Sequence, residues 1–411
     1  MSQASAAAVE RVARVSYGRL LAILASRAHD LAAAEDALGE AFAQALSKWP
    51  ISGVPAQPEA WLLTVSRRNL IDAHRHDKVA AAASASLALL LDELIETKLE
   101  ATFPDERLRL MFACAHPALE HSIRTALMLQ CVLGLEVARI ASAFLTAPAT
   151  LAQRLVRAKR KIRAAGIPFE VPGSDELPAR LDDVLDGIYG AYGTGWDDAD
   201  GADPRIAGLS REAVELAEAV VSLLPEAAEA RGLLALLLFC EARRAARRNA
   251  DGAYVPLSEQ DTRRWQHADI ARADALLVTT ANRATLGPFQ LEAAIQSAHC
   301  QARLGVTVPA AALLALYDGL LVFRPRLGAR LGRLSVLAQV AGAQTALAAL
   351  EELPSALVGD HQPYWALRAH LLAEAGQAAA ARTAYERAAA LATHSAVREF
   401  LSARAARSDA G

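Results

Sequence analysis

The sequence predicts an all-α protein, and three observations carry that expectation. Of 411 residues, 53% are hydrophobic but only 5% aromatic; Ala and Leu dominate with few β-branched runs, as in packed helices rather than sheets. Apolar residues recur at helical spacing in the stretches quoted below. Gly305, Gly342 and Gly376 recur at intervals of 37 and 34 residues, a period typical of stacked helical pairs. A chain of this length is expected to hold two or three domains. Its first residues, MSQASAAAVERVARVS, lack an apolar core for a signal peptide, and the longest apolar run, Gly232 to Cys240, is about half a membrane span. A cytoplasmic location without membrane contact follows as the expectation.

Taken in order, the first well-marked helix is DLAAAEDALGEAFAQALSKWP. Leu31, Ala34, Leu38, Phe42 and Leu46 share one face, while Asp30, Glu35, Asp36 and Glu40 lie outside it. An acidic outer face suits a basic protein partner rather than DNA. The stretch PISGVPAQP, Pro50 to Pro58, is then expected as a loop. It leads into EAWLLTVSRRNLIDAHRHD, where Arg67, Arg68, Arg75 and the amide of Asn69 accompany Trp61. Cations and an aromatic beside such a loop suit single-stranded DNA, whose bases stack or enter pockets. For Trp61 taken singly, core packing is the stronger reading.

Charge is concentrated further on. Residues 1–170 hold 20 Lys/Arg and 17 Asp/Glu, a balance of +3, and the remainder hold 23 and 29, a balance of −6. Six of the basic residues fall between Arg154 and Arg163, inside a stretch, 137–169, that has no Asp or Glu. In LAQRLVRAKRKIR, Leu151, Leu155, Ala158 and Ile162 form an apolar stripe, which leaves Thr150, Gln153, Arg154, Arg157 and Lys161 on the other face. LEVARIASAFL is a second amphipathic helix just before it, with TAP between them; Thr146 suits a cap and Pro148 a first turn. Helix, tight turn and basic helix are the parts that enter a major groove, where Gln and Arg read base edges and flanking cations meet phosphates. A solvated basic face is the alternative, and the preceding helix and the lack of acids weigh against it.

Chemistry-bearing patterns are absent. Cys114, Cys131, Cys240 and Cys300 stand far apart with no CxxC pair, and Cys114 with His116 reads as packing at a helix end rather than as a metal site. No Ser/His/Asp grouping, phosphate-cradling loop or metal spacing is found, so no enzyme activity, catalytic residue, metal or cofactor is expected. In the C-terminal half, Trp365, Ala369, Gly376, Ala381, Tyr385 and Ala388 fall at tetratricopeptide spacing, one good repeat with two degenerate ones before it. SEQDTRRW, Ser258 to Trp265, is either a contact to the N-terminal part or a capped helix start with Trp265 in the core.

Together, DLAAAEDALGEAF, WPISGVPAQPEAWLLTVSRRNLID, DERLRLMFACAHPAL and IASAFLTAPATLAQRLVRAKRKIRAAGIPFEVP resemble, in order, regions 2 and 4 of RNA polymerase sigma factors of the extracytoplasmic-function type. The resemblance extends to the subgroup with a long C-terminal tetratricopeptide-like extension. It implies region 2 over residues 1–78, a linker over 79–102, region 4 over 103–170 and the extension over 171–411. It implies core RNA polymerase as partner through its β′ clamp, met by Asp30, Glu35, Asp36 and Glu40, and through its β flap, met by region 4. Promoter DNA would be held at the minus-10 element by Trp61, Arg67, Arg68, Asn69 and Arg75, and at the minus-35 element by Thr150, Gln153, Arg154, Arg157 and Lys161. The acidic extension is expected to contact the sigma core. A stand-alone helix-turn-helix regulator with a repeat sensor is the competing class; it has no need of an acidic clamp helix followed by a single-strand loop.

Overall fold

A computed structural model describes residues 3–28, 30–77, 104–144, 146–164, 172–197, 208–281 and 286–408. The expected linker 79–102 and the side chain of Arg75 lie outside the described residues. The described chain is all-α without a strand and divides into two compact units, Met1–Pro225 and Glu226–Gly411.

The first unit begins with α1 (Gln3–Ala28), α2 (Leu31–Ser52) and α3 (Pro58–Asp77), which pack on one another. Asp30 caps α2, accepting from the backbone N–H groups of Ala32 and Ala33 at 2.9 and 3.1 Å, so this acid is committed at the helix N-terminus. The buried stripe of α2 is Leu31, Ala34, Leu38, Ala41, Ala45 and Trp49. Leu46 is 42% exposed, contrary to expectation. Steps of three and four residues from Leu38 through Ala41 and Ala45 reach Trp49, whose bulk occupies the core position that Leu46 was expected to fill. The expected loop from Pro50 is also shorter: α2 runs through Pro50 to Ser52 and ends at Gly53, whose N–H bonds the Trp49 carbonyl at 3.1 Å.

After the linker come α4 (Glu106–Cys114), α5 (His121–Cys131), α6 (Val137–Ala143) and α7 (Pro148–Ala164). Cys114 closes α4 fully buried, and His116 Nδ1 accepts the Ala118 N–H at 3.1 Å, so both serve the helix end and its turn. Two further helices, α8 (Leu177–Asp197) and α9 (Leu209–Leu223), complete the unit. The boundary expected at Glu170 is therefore not where the compact unit ends. Helix α8 packs on α4 and α5, and α9 on α8 and α4. Arg124 of α5 meets the 5%-exposed carboxylate of Asp183 on α8 at 2.7 Å, and Arg107 of α4 meets Glu212 of α9 at 2.5 Å.

The second unit starts with α10 (Ala228–Arg243), apolar on every side and buried from Gly232 through Phe239, as a helix enclosed by others must be. Three short 3-10 turns between Arg244 and Arg264 lead to α11 (His267–Ala281) and α12 (Pro288–Arg303), which flank α10. Then follow α13 (Ala310–Phe323), α14 (Leu327–Ala341), α15 (Ala343–Glu351), α16 (Ser355–Val358), α17 (Gln362–Glu374), α18 (Ala378–Leu391) and α19 (Ser395–Arg407). The 37- and 34-residue glycine period marks helix ends. Gly305, Gly342 and Gly376 have φ of 91°, 85° and 76°, a region L side chains avoid. At two of them the next N–H reaches back five residues, Val306 to Gln301 and Gln377 to Leu372, both at 2.9 Å, closing Schellman caps. In the last hairpin Ala369, Ala381 and Ala388 are fully buried where α17 and α18 cross.

SEQDTRRW turns out to join the two ends of this unit. Trp265 is 4% exposed, Asp261 accepts the Arg263 N–H at 3.0 Å, and Glu259 pairs with Arg404 of α19. Beside it Tyr254 meets the Phe400 ring edge-on at 5.4 Å.

Candidate nucleic-acid interface

The basic helix is built as its pattern requires. Leu151, Leu155, Ala158 and Ile162 are 1–6% exposed, which seats α7 on α5 and α6. Helix α6 ends at Ala143 and α7 begins at Pro148, so four residues make the turn between them. Thr150, Gln153, Arg157 and Lys161 are exposed along one outer face. Arg154 is drawn sideways: its guanidinium donates to Ser122 Oγ and lies 3.9 Å from Glu120. Lys161 donates to the Ala118 carbonyl at 2.7 Å. Both cations therefore rest on the turn before α5 and its first residues. Val156, 53% exposed, stands beside Gln153 and Arg157 on α7. Its signal in the sequence was a single apolar residue on an otherwise polar face, and a methyl-bearing side chain there suits contact with a thymine methyl.

Around the first loop the expected residues separate into two groups. Arg67 and Arg68 are exposed. Asn69 instead ties α3 to α2, donating to the Ala37 carbonyl at 3.2 Å and accepting from Gln44 at 3.4 Å. Trp61 meets buried Trp49 edge-on, with centroids 5.5 Å apart, so its ring packs while part of it reaches the surface. Two apolar loop-side residues that the sequence reading passed over, Ile51 and Val54, are 89% and 40% exposed. Exposed apolar side chains and exposed cations on one module suit unstacked bases better than duplex phosphates.

The four acids of α2 also part company. Asp36 and Glu40 are exposed, Asp30 is the cap, and Glu35 faces Lys159 of α7, Oε1 to Nζ at 2.7 Å, with both side chains 18% exposed. Burial opposes the charge on Lys159, and the Glu35 carboxylate outweighs it and raises the ammonium above its ordinary value. Burial also pushes the Cys131 thiol well up, keeping it protonated at neutral pH. No cluster of acids, His or Cys able to hold a metal occurs among the described residues, and no described helix is long and apolar enough to cross a membrane.

Residues 13–79, from α1 through α3, match the Sigma-70 region 2 family. This module carries the acidic helix, the short loop and the Arg67/Arg68 pair. It is the part by which sigma factors engage core RNA polymerase and promoter DNA, and it supports a sigma-factor role in transcription initiation, in a family that is not one of enzymes. Residues 180–281 match a family of unknown function, DUF6596, covering most of α8 through α11. The chain is 37% identical over 366 residues to Uncharacterized protein R00370 of Rhizobium meliloti (strain 1021), covering 88% of this chain and 86% of that protein. It belongs to the same family as that protein. No solved structure matches it.

Proposed function

We propose that the protein is a sigma factor of the extracytoplasmic-function type that directs core RNA polymerase to specific promoters, with a C-terminal helical-repeat domain of tetratricopeptide-like build. The observation that carries this is the region 2 match joined in one compact unit to a helix, a turn and an acid-free basic helix. In this reading Asp36, Glu40 and, when released, Glu35 meet the β′ clamp. Ile51, Val54, Trp61, Arg67 and Arg68 line the path of the melted minus-10 strand, with Arg75 further along the same helix. Thr150, Gln153 and Arg157 read the minus-35 groove, Arg154 and Lys161 swinging onto it from Ser122 and Ala118, while this part of the chain meets the β flap. Base edges specify and phosphates position, so the outward Gln and Arg carry the sequence preference.

The test is run-off transcription from genomic DNA by core polymerase with and without the full-length protein. Initiation at defined start sites only when the protein is present is expected. A footprint on duplex DNA by the protein alone, with no effect on initiation by core enzyme, would instead make it a stand-alone regulator.

A further inference from the structure

Two cations of α7 take their positions from another part of the chain. Lys161 donates to the Ala118 carbonyl at 2.7 Å, and Arg154 reaches Ser122 and Glu120, so both seats belong to the turn between α4 and α5 and to the first residues of α5. A single side chain shapes that turn. The Arg124 guanidinium donates to the Leu119 carbonyl at 2.8 and 3.0 Å and to the Pro117 carbonyl at 3.1 Å. Its remaining arm ends at 2.7 Å on Asp183 of α8, a carboxylate only 5% exposed, whose other oxygen lies 2.7 Å from His121 Nδ1. Helix α8 also grips the far side of the turn, where Arg180 donates to the Phe112 carbonyl of α4 at 3.3 Å. Burial first and the Arg180 guanidinium second hold the His116 imidazole below its ordinary value, which leaves Nδ1 free to accept the Ala118 N–H at 3.1 Å. Ala118 is thus fixed at its amide by His116 and carries Lys161 on its carbonyl.

We infer that α8 belongs to the promoter-reading apparatus: Asp183, acting through Arg124, is a positioning residue that fixes the seats from which Arg154 and Lys161 reach DNA phosphates. The inference rests on the proposed minus-35 role of α7. It assigns a task to the start of the stretch 180–281, which matches a family of unknown function. An ammonium and a guanidinium each carry several donors, and each seat uses one of them. Each cation therefore turns onto a phosphate from an ordered seat, and less rotamer entropy is lost on binding than by a free side chain. Without the Asp183 charge, Arg124, itself 15% exposed, is left as a mostly buried cation with no counter-ion and moves toward water. The Pro117 and Leu119 carbonyls are then released and the seats lose their definition. The chain of contacts runs from α8 through α5 to α7, so its loss acts on upstream DNA and not on the acids of α2.

Transcription by core polymerase with the full-length protein is measured on two templates, both melted in advance at the minus-10 element. One continues as duplex through the minus-35 element, and the other ends just upstream of the minus-10 element. Asp183→Asn is expected to reduce the advantage of the longer template roughly tenfold, within the range for coupled members of one hydrogen-bond network, and to leave the shorter one unchanged. In a chain already carrying Arg154→Ala and Lys161→Ala, adding Asp183→Asn should change little more, an outcome that a general loss of stability cannot give. Arg124→Lys keeps a cation beside Asp183 but cannot also span the Pro117 and Leu119 carbonyls; it should reproduce the effect, and it decides the matter if Asp183→Asn fails to fold. Glu212→Gln, which removes a partner of Arg107 elsewhere in the same unit, is the stability control and should leave the ratio of the two templates as it is. Equal losses on both templates, or full additivity with the α7 changes, make Asp183 a purely structural residue and overturn the inference. If the wild type drives no initiation on either template, the proposed function falls, and the positioning role falls with it.

Discussion

The carbonyl oxygen of Val132 lies 1.6 Å from where a methyl group at Gly18 would sit, and backbone on both sides leaves no flexible tip to yield. Gly18→Ala is therefore expected to destabilise the first unit by about 1–3 kcal/mol, the usual cost of overpacking. Urea denaturation checks this, and an unchanged midpoint would mean that α1 and the end of α5 do not meet so closely. His299 offers a second residue-scale outcome. Burial first and the Arg243 guanidinium second hold its imidazole below the ordinary value. As pH falls through the ordinary imidazole range, the unfolded chain binds a proton that the folded chain resists, so stability is full above that range and declines within it. His299→Gln should flatten the loss of stability of the second unit between about pH 7 and pH 5; an equal loss in both proteins would show that the imidazole is not the cause.

Helix α7 divides its labour by face. Its apolar stripe anchors it, Lys159 turns toward α2, and Thr150, Gln153 and Arg157 look outward. Gln153→Ala and Arg157→Ala are expected to change which minus-35 sequences support transcription, by about 1–3 kcal/mol where the contact is a good base-edge pair. Lys161→Ala should weaken all promoter variants alike, because a phosphate contact carries no sequence information. Equal losses from all three changes on every promoter variant would show that the readers have been assigned to the wrong face. Helix α2 shows how an element can be legible in kind and misread in detail. Its existence and acidic side were plain from the sequence, but five apolar residues at helical spacing did not reveal that Trp49 would take the core position and leave Leu46 at the surface.

Across the whole molecule, α8 and α9 matter most for where the chain can be cut. Through Asp183 and Glu212 they supply carboxylates to Arg124 and Arg107 of α5 and α4, so a chain ending near Pro178 loses these partners and exposes the apolar faces beneath. Residues 1–225 are expected to be soluble and to unfold cooperatively, and residues 1–178 to be destabilised or aggregated; circular dichroism melts of the two fragments decide it, and equal melting would restore the boundary near Glu170. In the second unit, truncation after Pro354 removes Phe400 and Arg404, the partners of Tyr254 and Glu259. An array that buries its faces by stacking and then joins its ends should lose protection from proteolysis well before the cut, around Asn249–Trp265. Unaltered protection there would show that the joined ends contribute little.

The sequence by itself determined the helical class, the basic helix with its apolar stripe, and the region 2 pattern, because each rests on spacing within about 20 residues, where helical geometry makes periodicity decisive. It also marked the glycine period, since a left-handed helix end demands a particular residue wherever it occurs. Only the tertiary structure decided that Glu35 meets Lys159, that Asn69 bridges two helices instead of lying open, that α8 and α9 complete the first unit, and that SEQDTRRW joins the ends of the second. Each of these depends on which surfaces meet after distant segments pack. A charge or an amide carries the same local signal whether it faces solvent, DNA or a partner more than a hundred residues away in the chain.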